Sequence, residues 1–429
     1  LPVDNYTNRL KIADMSKLPP PCPIVSRFRY PYRSIEAFGG VPWADAVNYF
    51  VTGDIDGDGR IELVLCRGSA EQIAFDLDGR IRWHYTDEDA SWKSRRPDSS
   101  VFLRDIDLDG KTELVCTRTL NGQEHVCLVD AVSGILKTGV PLIPRTEDDD
   151  NRGFLRLILA DGPDAPGYIA AGWDYTRLAL YDARLNLIWK RDAPIGHDPY
   201  GVDIDGDGYE EIVCGYVAFD RSGDMRWDSR KYLEKDSHAD SVVAFEEDDE
   251  IRLFTSEGHI LGPDGDLVDA IGQDVLVHGQ EAGIIHTAGE RRFVVQDRGD
   301  GIKQTTCIFT RDNRLTFSAL GGQTMQTVGW GASGEGGVWI DTHGLIYDGD
   351  GGLLGKVRAY ERGCWRLPTR GVGSAHDLLY GSGDELLLRF FDEELQIARC
   401  EIYTTDVPEP DDGRTPKTIT RAMIDWSFY

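Results

Sequence analysis

The chain has 429 residues, 41% of them apolar, with 17 Tyr and 10 Trp, enough material for a large folded core and unlike a disordered chain. A formal net charge of −28 argues against nucleic acid as a partner, because phosphate binding needs clustered Lys and Arg. No apolar run approaches the ~20 residues of a membrane-spanning helix.

The first 23 residues, LPVDNYTNRLKIADMSKLPPPCP, are polar and Pro-rich and hold no apolar leader, and Asn5 opens a glycosylation triplet. They read as a peripheral extension. Secretion is the expectation, with any leader already removed from a mature form.

From Tyr49 onward the chain repeats. TGDIDGDGRIELVLC begins at Thr52, LRDIDLDGKTELVCT at Leu103 and GVDIDGDGYEEIVCG at Gly201. Aligning these acidic turns gives units near Tyr49, Val101, Leu155, Tyr200, Ser241, Ala282, Thr327 and Gly373, spaced by roughly 41–54 residues. Each has an apolar run, an acidic or Gly turn, a second apolar run and a loop, then hydrophobic–x–D–x–x–G–x–hydrophobic–x–W. That last piece is plain in IAFDLDGRIRWHY, LALYDARLNLIWKRD and VAFDRSGDMRWDS. It fades in CIFTRDNRLTF, LIYDGDGGLLGKV and LRFFDEELQIARC. Short β-rich runs with regular turn signals, repeated at this period, predict four-stranded blades closed radially into an all-β propeller. Eight blades are expected, seven being the alternative. Residues 24–406 would form the propeller as a single domain, with 407–429 as a tail.

The acidic turns suggest metal. Asp54, Asp56, Asp58 and Glu62 recur as Asp105, Asp107, Asp109 and Glu113, and again as Asp203, Asp205, Asp207 and Glu211. Alternate carboxylates in a tight turn converge on one point, and hard oxygen ligands at that density suit Ca²⁺. A helix–loop–helix calcium site does not fit, because its twelfth position would fall on Leu65, Cys116 and Cys214. The role expected for calcium is structural, closing the hairpin between the first and second strands. Ordinary Asp- and Gly-rich hairpin turns are the alternative reading.

Eight cysteines show no CxxC spacing, which argues against a zinc ribbon or a thioredoxin-like site. Cys66, Cys116 and Cys214 follow apolar runs at matching repeat positions and read as small buried hydrophobes. Cys116 and Cys127 are candidates for a cross-hairpin pair, with Cys22, Cys364 and Cys400 as others.

Propeller topology puts the acidic turns at one end. The start of each innermost strand, the loop between the second and third strands, and the inter-blade loop all lie at the other. At innermost-strand starts stand Asn48, Ser99, His197 and His238. The first inter-blade loop adds His84, Lys93, Arg95 and Arg96, and GWDYTR adds Trp173, Tyr175 and Arg177. One end thus gathers imidazoles, a phenol, an aromatic platform and guanidiniums, and the other gathers carboxylates. Taken singly, each of these residues is more simply a packing, hydrogen-bonding or surface ion-pairing side chain. Only the fold brings them to one mouth.

IGHDPYGVDIDGDGYEEIVCGYVAFDRSGDMRW, followed by KDSHADSVVAF, resembles the rhamnogalacturonan lyases with a propeller catalytic domain. His197, Asp203, Glu211, Gly215, Ala218, Asp220 and Gly223 match the first motif of that family, and His238, Ala239 and Asp240 match a second. In size and plan the chain is also similar to propeller lyases of rhamnosyl-glucuronate bonds, such as ulvan lyases. His84 corresponds to their early histidine, while Ser99 stands where they commonly carry another. The resemblance implies β-elimination at a rhamnosyl-(1→4)-uronate bond in an acidic polysaccharide or oligosaccharide. It implies His84 or His197 as base or acid with Tyr175 as partner, and Arg95, Arg96 or Arg177 against the uronate carboxylate. Lys93, Trp173 and Asn48 would bind substrate, and His238 would line the channel or, with Asp240, hold a central cation. A carbohydrate-binding propeller without catalysis, or a hydrolase releasing rhamnose from the same bond, are the alternatives.

Overall fold

The structure, a computed structural model, describes residues 22–30, 49–87, 101–142, 153–173, 176–196, 199–233, 238–299, 305–320, 325–330, 336–340, 344–357, 372–379, 383–392 and 397–404. Within them the chain forms eight four-stranded antiparallel sheets. The helical content of these residues is one 3₁₀ turn, Arg230–Tyr232. The protein is an all-β propeller, and it has eight blades rather than seven.

The innermost strands of blades one to eight are Tyr49–Gly53, Phe102–Arg104, Gly153–Ile158, Pro199–Val202, Val242–Glu247, Gly279–Thr287, Met325–Gly329 and Val372–His376. They start close to where the repeat places them. In blades one to seven the four strands follow chain order from the axis outward. Blade eight differs. Its outermost strand is Ile24–Tyr30, from the start of the chain, paired antiparallel with Ile397–Tyr403.

The D-x-x-G piece of the repeat is the hairpin between the third and fourth strands. In blade one Asp76 N–H bonds the Arg80 carbonyl and Gly79 N–H bonds the Asp76 carbonyl. Gly79 takes φ +91°, the left-handed residue such hairpins need. A register shift follows in the strand pair, between Ala74 and Phe75, and recurs at the same place in blades two to seven. These bulges sharpen the local twist that lets flat ribbons pack as a ring.

The tryptophan that ends the motif explains the glycine. Trp83 of blade one donates its indole N–H to the Ala131 carbonyl of blade two at 2.9 Å, and its ring lies where a Cβ on Gly134 would be 2.6 Å away. Trp189 and Trp227 repeat the contact with Arg221 and Gly223, and with Pro263 and Gly265. Phe28, from the strand that closes the ring, stands against Gly79 in the same way. The equivalent left-handed positions in blades three and six are Leu185 and Asn313. Their preceding blades place Thr138 and Asp269 in the tryptophan position. Where no large ring presses on the turn, a side chain fits.

The core lies between neighbouring sheets. One cluster joins Leu63, Leu65 and Phe75 of blade one with Leu114, Cys116 and Val129 of blade two and Leu387 and Ile402 of blade eight. Cys66, Cys116 and Cys214 are fully buried thiols outside any disulfide, as small hydrophobes would be. Cys116 and Cys127 stand opposite each other in register, but neither is bridged, and neither is Cys22 or Cys400. The cysteine pairings that the sequence suggested therefore do not form at these positions. Cys364 lies outside the described residues.

Candidate functional site

The three acidic turns share one construction. The first Asp accepts backbone N–H groups across its own loop: Asp54 from Gly57, Asp58 and Gly59 at 2.8–3.1 Å. Asp105 does so for Asp109 and Gly110, and Asp203 for Gly206, Asp207 and Gly208. The buried glutamate that opens the second strand accepts one more: Glu62 from Ile55, Glu113 from Ile106 and Glu211 from Ile204. Burial pushes all three glutamates up, Glu62 to about 7.

A basic side chain from the fourth strand of the same blade meets each turn. Arg82 bonds Glu62 at 2.9 Å and also reaches Asp56 and Asp76. Lys137 bonds Glu113 at 2.6 Å and Asp109 at 3.4 Å. Arg226 bonds Glu211 at 2.5 Å and Asp205 at 2.6 Å. The carboxylates are spaced to hold a metal ion. Part of their charge is already answered within the blade.

The opposite end is built differently. His238 and Asp240 precede the innermost strand of blade five, His278 precedes that of blade six, and Glu257 sits in the turn between the second and third strands of blade five. In an antiparallel blade all three places fall at one end, away from the acidic turns. His238 Nε2 lies 2.8 Å from Asp240 Oδ1, and His278 Nε2 lies 3.8 Å from Asp240 Oδ2. His278 Nδ1 faces Glu257 Oε1 at 3.3 Å, and the two imidazoles meet edge to face with centroids 5.4 Å apart.

Asp240 is 2% exposed, and Gln280 donates its amide to it. Burial raises the Asp240 carboxyl above its ordinary range, while the bond to Glu257 raises the His278 imidazole. Arg298 is close enough to His278 to oppose that rise. Asp297 fixes the approach of His278, accepting its backbone N–H at 2.8 Å and that of Gly299 at 3.0 Å. Ligand atoms of His238, Asp240 and His278 lie within 4.8 Å of one another. Two imidazoles and one carboxylate converging from neighbouring blades are a donor set that fits a divalent cation, with Glu257 on the far nitrogen of His278 to orient its ring.

The other expected site residues divide. His84 is at the same end as the cluster, but on the outermost strand of blade one, where its Nε2 faces Glu71 at 2.8 Å. Arg177 opens the third strand of blade three beside Asp192 at 3.8 Å, opposite Trp173 in the pairing register. Asn48, Lys93, Arg95, Arg96, Tyr175 and His197 lie outside the described residues. Glu257, His278 and Arg298 are contributed by blades five and six and were not foreseen. His278 does follow the rule that marked His238, a histidine just before an innermost strand.

No protein-family profile matches the chain. The rhamnogalacturonan exolyase YesX of Bacillus subtilis is 28% identical over 250 residues, 43% of this chain, and the match spans 40% of that relative's length. The solved structure of rhamnogalacturonan lyase YesW superposes with a TM-score of 0.61 at 17% identity, covering 93% of this chain and 77% of the other. The biofilm matrix protein Bap1 of V. cholerae reaches a TM-score of 0.58 at 12% identity over 90% and 91% of the two chains. By sequence over part of its length and by fold over most of it, the chain is similar to the propeller rhamnogalacturonan lyases.

Proposed function

We propose that the protein is a polysaccharide lyase that cleaves a rhamnosyl-(1→4)-uronate bond by β-elimination. The observation that carries this reading is the His238–Asp240–Glu257–His278 cluster, at the end opposite the acidic turns, in a chain similar to rhamnogalacturonan lyases. Elimination removes the proton at C5 of the uronate. Its electron pair forms the C4–C5 double bond, the C4–O4 bond breaks, and O4 takes up a proton.

The C5 proton is acidic only while the neighbouring carboxylate is neutralised. A divalent cation held by the cluster, Ca²⁺ in this reading, would supply that neutralisation as a Lewis acid. Arg298 beside His278 would add to it, and Arg95, Arg96 or Arg177 are proposed to face the uronate carboxylate. His197, with Tyr175 as partner, is the proposed base and acid. His84 is the second choice, because its ring already faces Glu71 from the outermost strand. Lys93, Trp173 and Asn48 are proposed to bind the flanking sugars, and the natural setting is proposed to be extracellular.

The test is ultraviolet absorbance of a 4,5-unsaturated uronate on rhamnogalacturonan, ulvan and a gum ending in rhamnosyl-glucuronate, with calcium and with chelator. A rise on one substrate, lost with chelator, is the expected result. Released rhamnose without the chromophore would transfer the reading to a hydrolase. Neither signal from folded protein would leave a binding propeller, the reading that the likeness to a biofilm matrix protein supports.

A further inference from the structure

Behind Glu257 runs a chain of polar groups that belongs to no acidic turn, buried at Tyr216, Thr255 and His259 and exposed at its last member, Gln273. Tyr216 is in the turn between the second and third strands of blade four and is 3% exposed. Its hydroxyl crosses to blade five, 2.5 Å from His259 Nδ1 and 2.9 Å from Thr255 Oγ1. The His259 backbone N–H donates to Thr255 Oγ1 at 3.2 Å, which closes a ring of three. One proton order satisfies all of it. The threonine O–H donates to the phenol oxygen, the phenol O–H to Nδ1, and the backbone N–H to the threonine. Nε2–H of His259 is then left as a donor, and the imidazole also hydrogen-bonds the side chain of Gln273. Gln273 Nε2 in turn donates to the backbone carbonyl of Glu257 at 2.8 Å.

We propose that Tyr216, His259 and Gln273 are positioning residues that fix the peptide carrying Glu257, so that its carboxylate stays aimed at His278 and the cation-holding cluster. The inference rests on the reading of that cluster as a cation site, and it names residues that neither touch the cation nor react. Two close approaches show that the turn has little room to relax. A Cβ on Gly258 would be 2.1 Å from the Ile271 carbonyl oxygen, and one on Gly279 would be 1.7 Å from the Ser256 carbonyl oxygen. Ser256 Oγ also accepts the backbone N–H of Asp240 at 3.1 Å, so the same turn locates both carboxylates. Such outer bonds set the aim of a ligand, and their loss weakens metal sites without removing a donor. Tyr216 makes the arrangement an inter-blade device, since a phenol from blade four holds a turn of blade five.

The test uses the full chain and Co²⁺ as the probe, because imidazole ligation gives it a visible spectrum distinct from that of an all-oxygen turn. Tyr216→Phe and Gln273→Ala should each weaken Co²⁺ binding by about tenfold, with the cation-free melting temperature little changed for Gln273→Ala. Thr255→Ser should behave as wild type and Thr255→Val as Tyr216→Phe. A Gln273→Ala protein with wild-type affinity would overturn the proposal, even if Tyr216→Phe failed to fold. So would a wild-type protein that gives no imidazole-type spectrum. If the affinities shift as expected but no acidic polysaccharide is cleaved by wild type, the lyase reading falls and the positioning role stands.

Discussion

The two ends of the propeller handle buried carboxylates in opposite ways. At the acidic turns each blade answers its own charge, with Arg82, Lys137 or Arg226 reaching in from the fourth strand. At the other end Asp240 and Glu257 face imidazoles, one of them from the next blade. A guanidinium is a permanent counter-ion, whereas an imidazole can release its proton and offer a lone pair instead. The first arrangement closes hairpins. The second leaves a place where a cation or a substrate can finish the neutralisation.

Breaking the second arrangement should have the largest effect. Asp240→Asn removes the charge shared by His238 and His278. It should lower elimination by about 100-fold or more while the circular dichroism of the fold persists, as measured on the substrate that responds. Breaking the first should cost stability instead. Arg82 is 12% exposed and Glu62 1%, so Arg82→Met takes the shared cation from Glu62, Asp56 and Asp76, leaves Glu62 to take up a proton, and should destabilise by about 1–3 kcal/mol in denaturant unfolding. Added Ca²⁺ should restore part of that loss, and wild type should gain less from it.

The smallest effect sharpens the contrast through pH. The His278 imidazole is raised above its ordinary 6.5 by Glu257. Its contribution to cation-free stability is complete below pH 6.5 and is lost as pH rises through the raised value. A cation needs that same proton gone. Melting curves with chelator and with Ca²⁺ should therefore separate as pH rises through this interval, and parallel curves would contradict the shared site.

The blades were legible because their signals are local. Asp and Gly at hairpins, and a tryptophan at a fixed distance beyond, act within one unit or against the next. The fourth-strand cations were equally present in the motif, as the Arg of RW in blades one and four, but the alternation of the strand gave no reason to turn them toward the acids. Blade eight kept only part of the pattern. Glu385 still accepts the backbone N–H of Leu378, as Glu62 does for Ile55, and Asp377 stands where Asp54 does, but Leu379 and Gly381 replace Asp56 and Asp58. The source of its outermost strand was not legible at all, because Ile24 finds Tyr403 through ring geometry and not through any neighbouring residue. Half of the cluster was missed for a related reason. Blade six has no acidic turn from which to count back to His278, and Glu257 lies in a turn whose sequence, SEG, looks like any solvated loop.

The strand Ile24–Tyr30 is made early and docks late. Its sheet partner among the described residues, Ile397–Tyr403, emerges from the ribosome after seven complete blades. Until then the early strand has an unpaired backbone, Phe28 cannot press on Gly79, and blade one has no neighbour on that side. Contacts so far apart in sequence form slowly, since the whole intervening chain must be ordered before they are made. Assembly of this propeller therefore ends in a single closing event, and any cation-binding or catalytic geometry that depends on an intact ring arrives only with it.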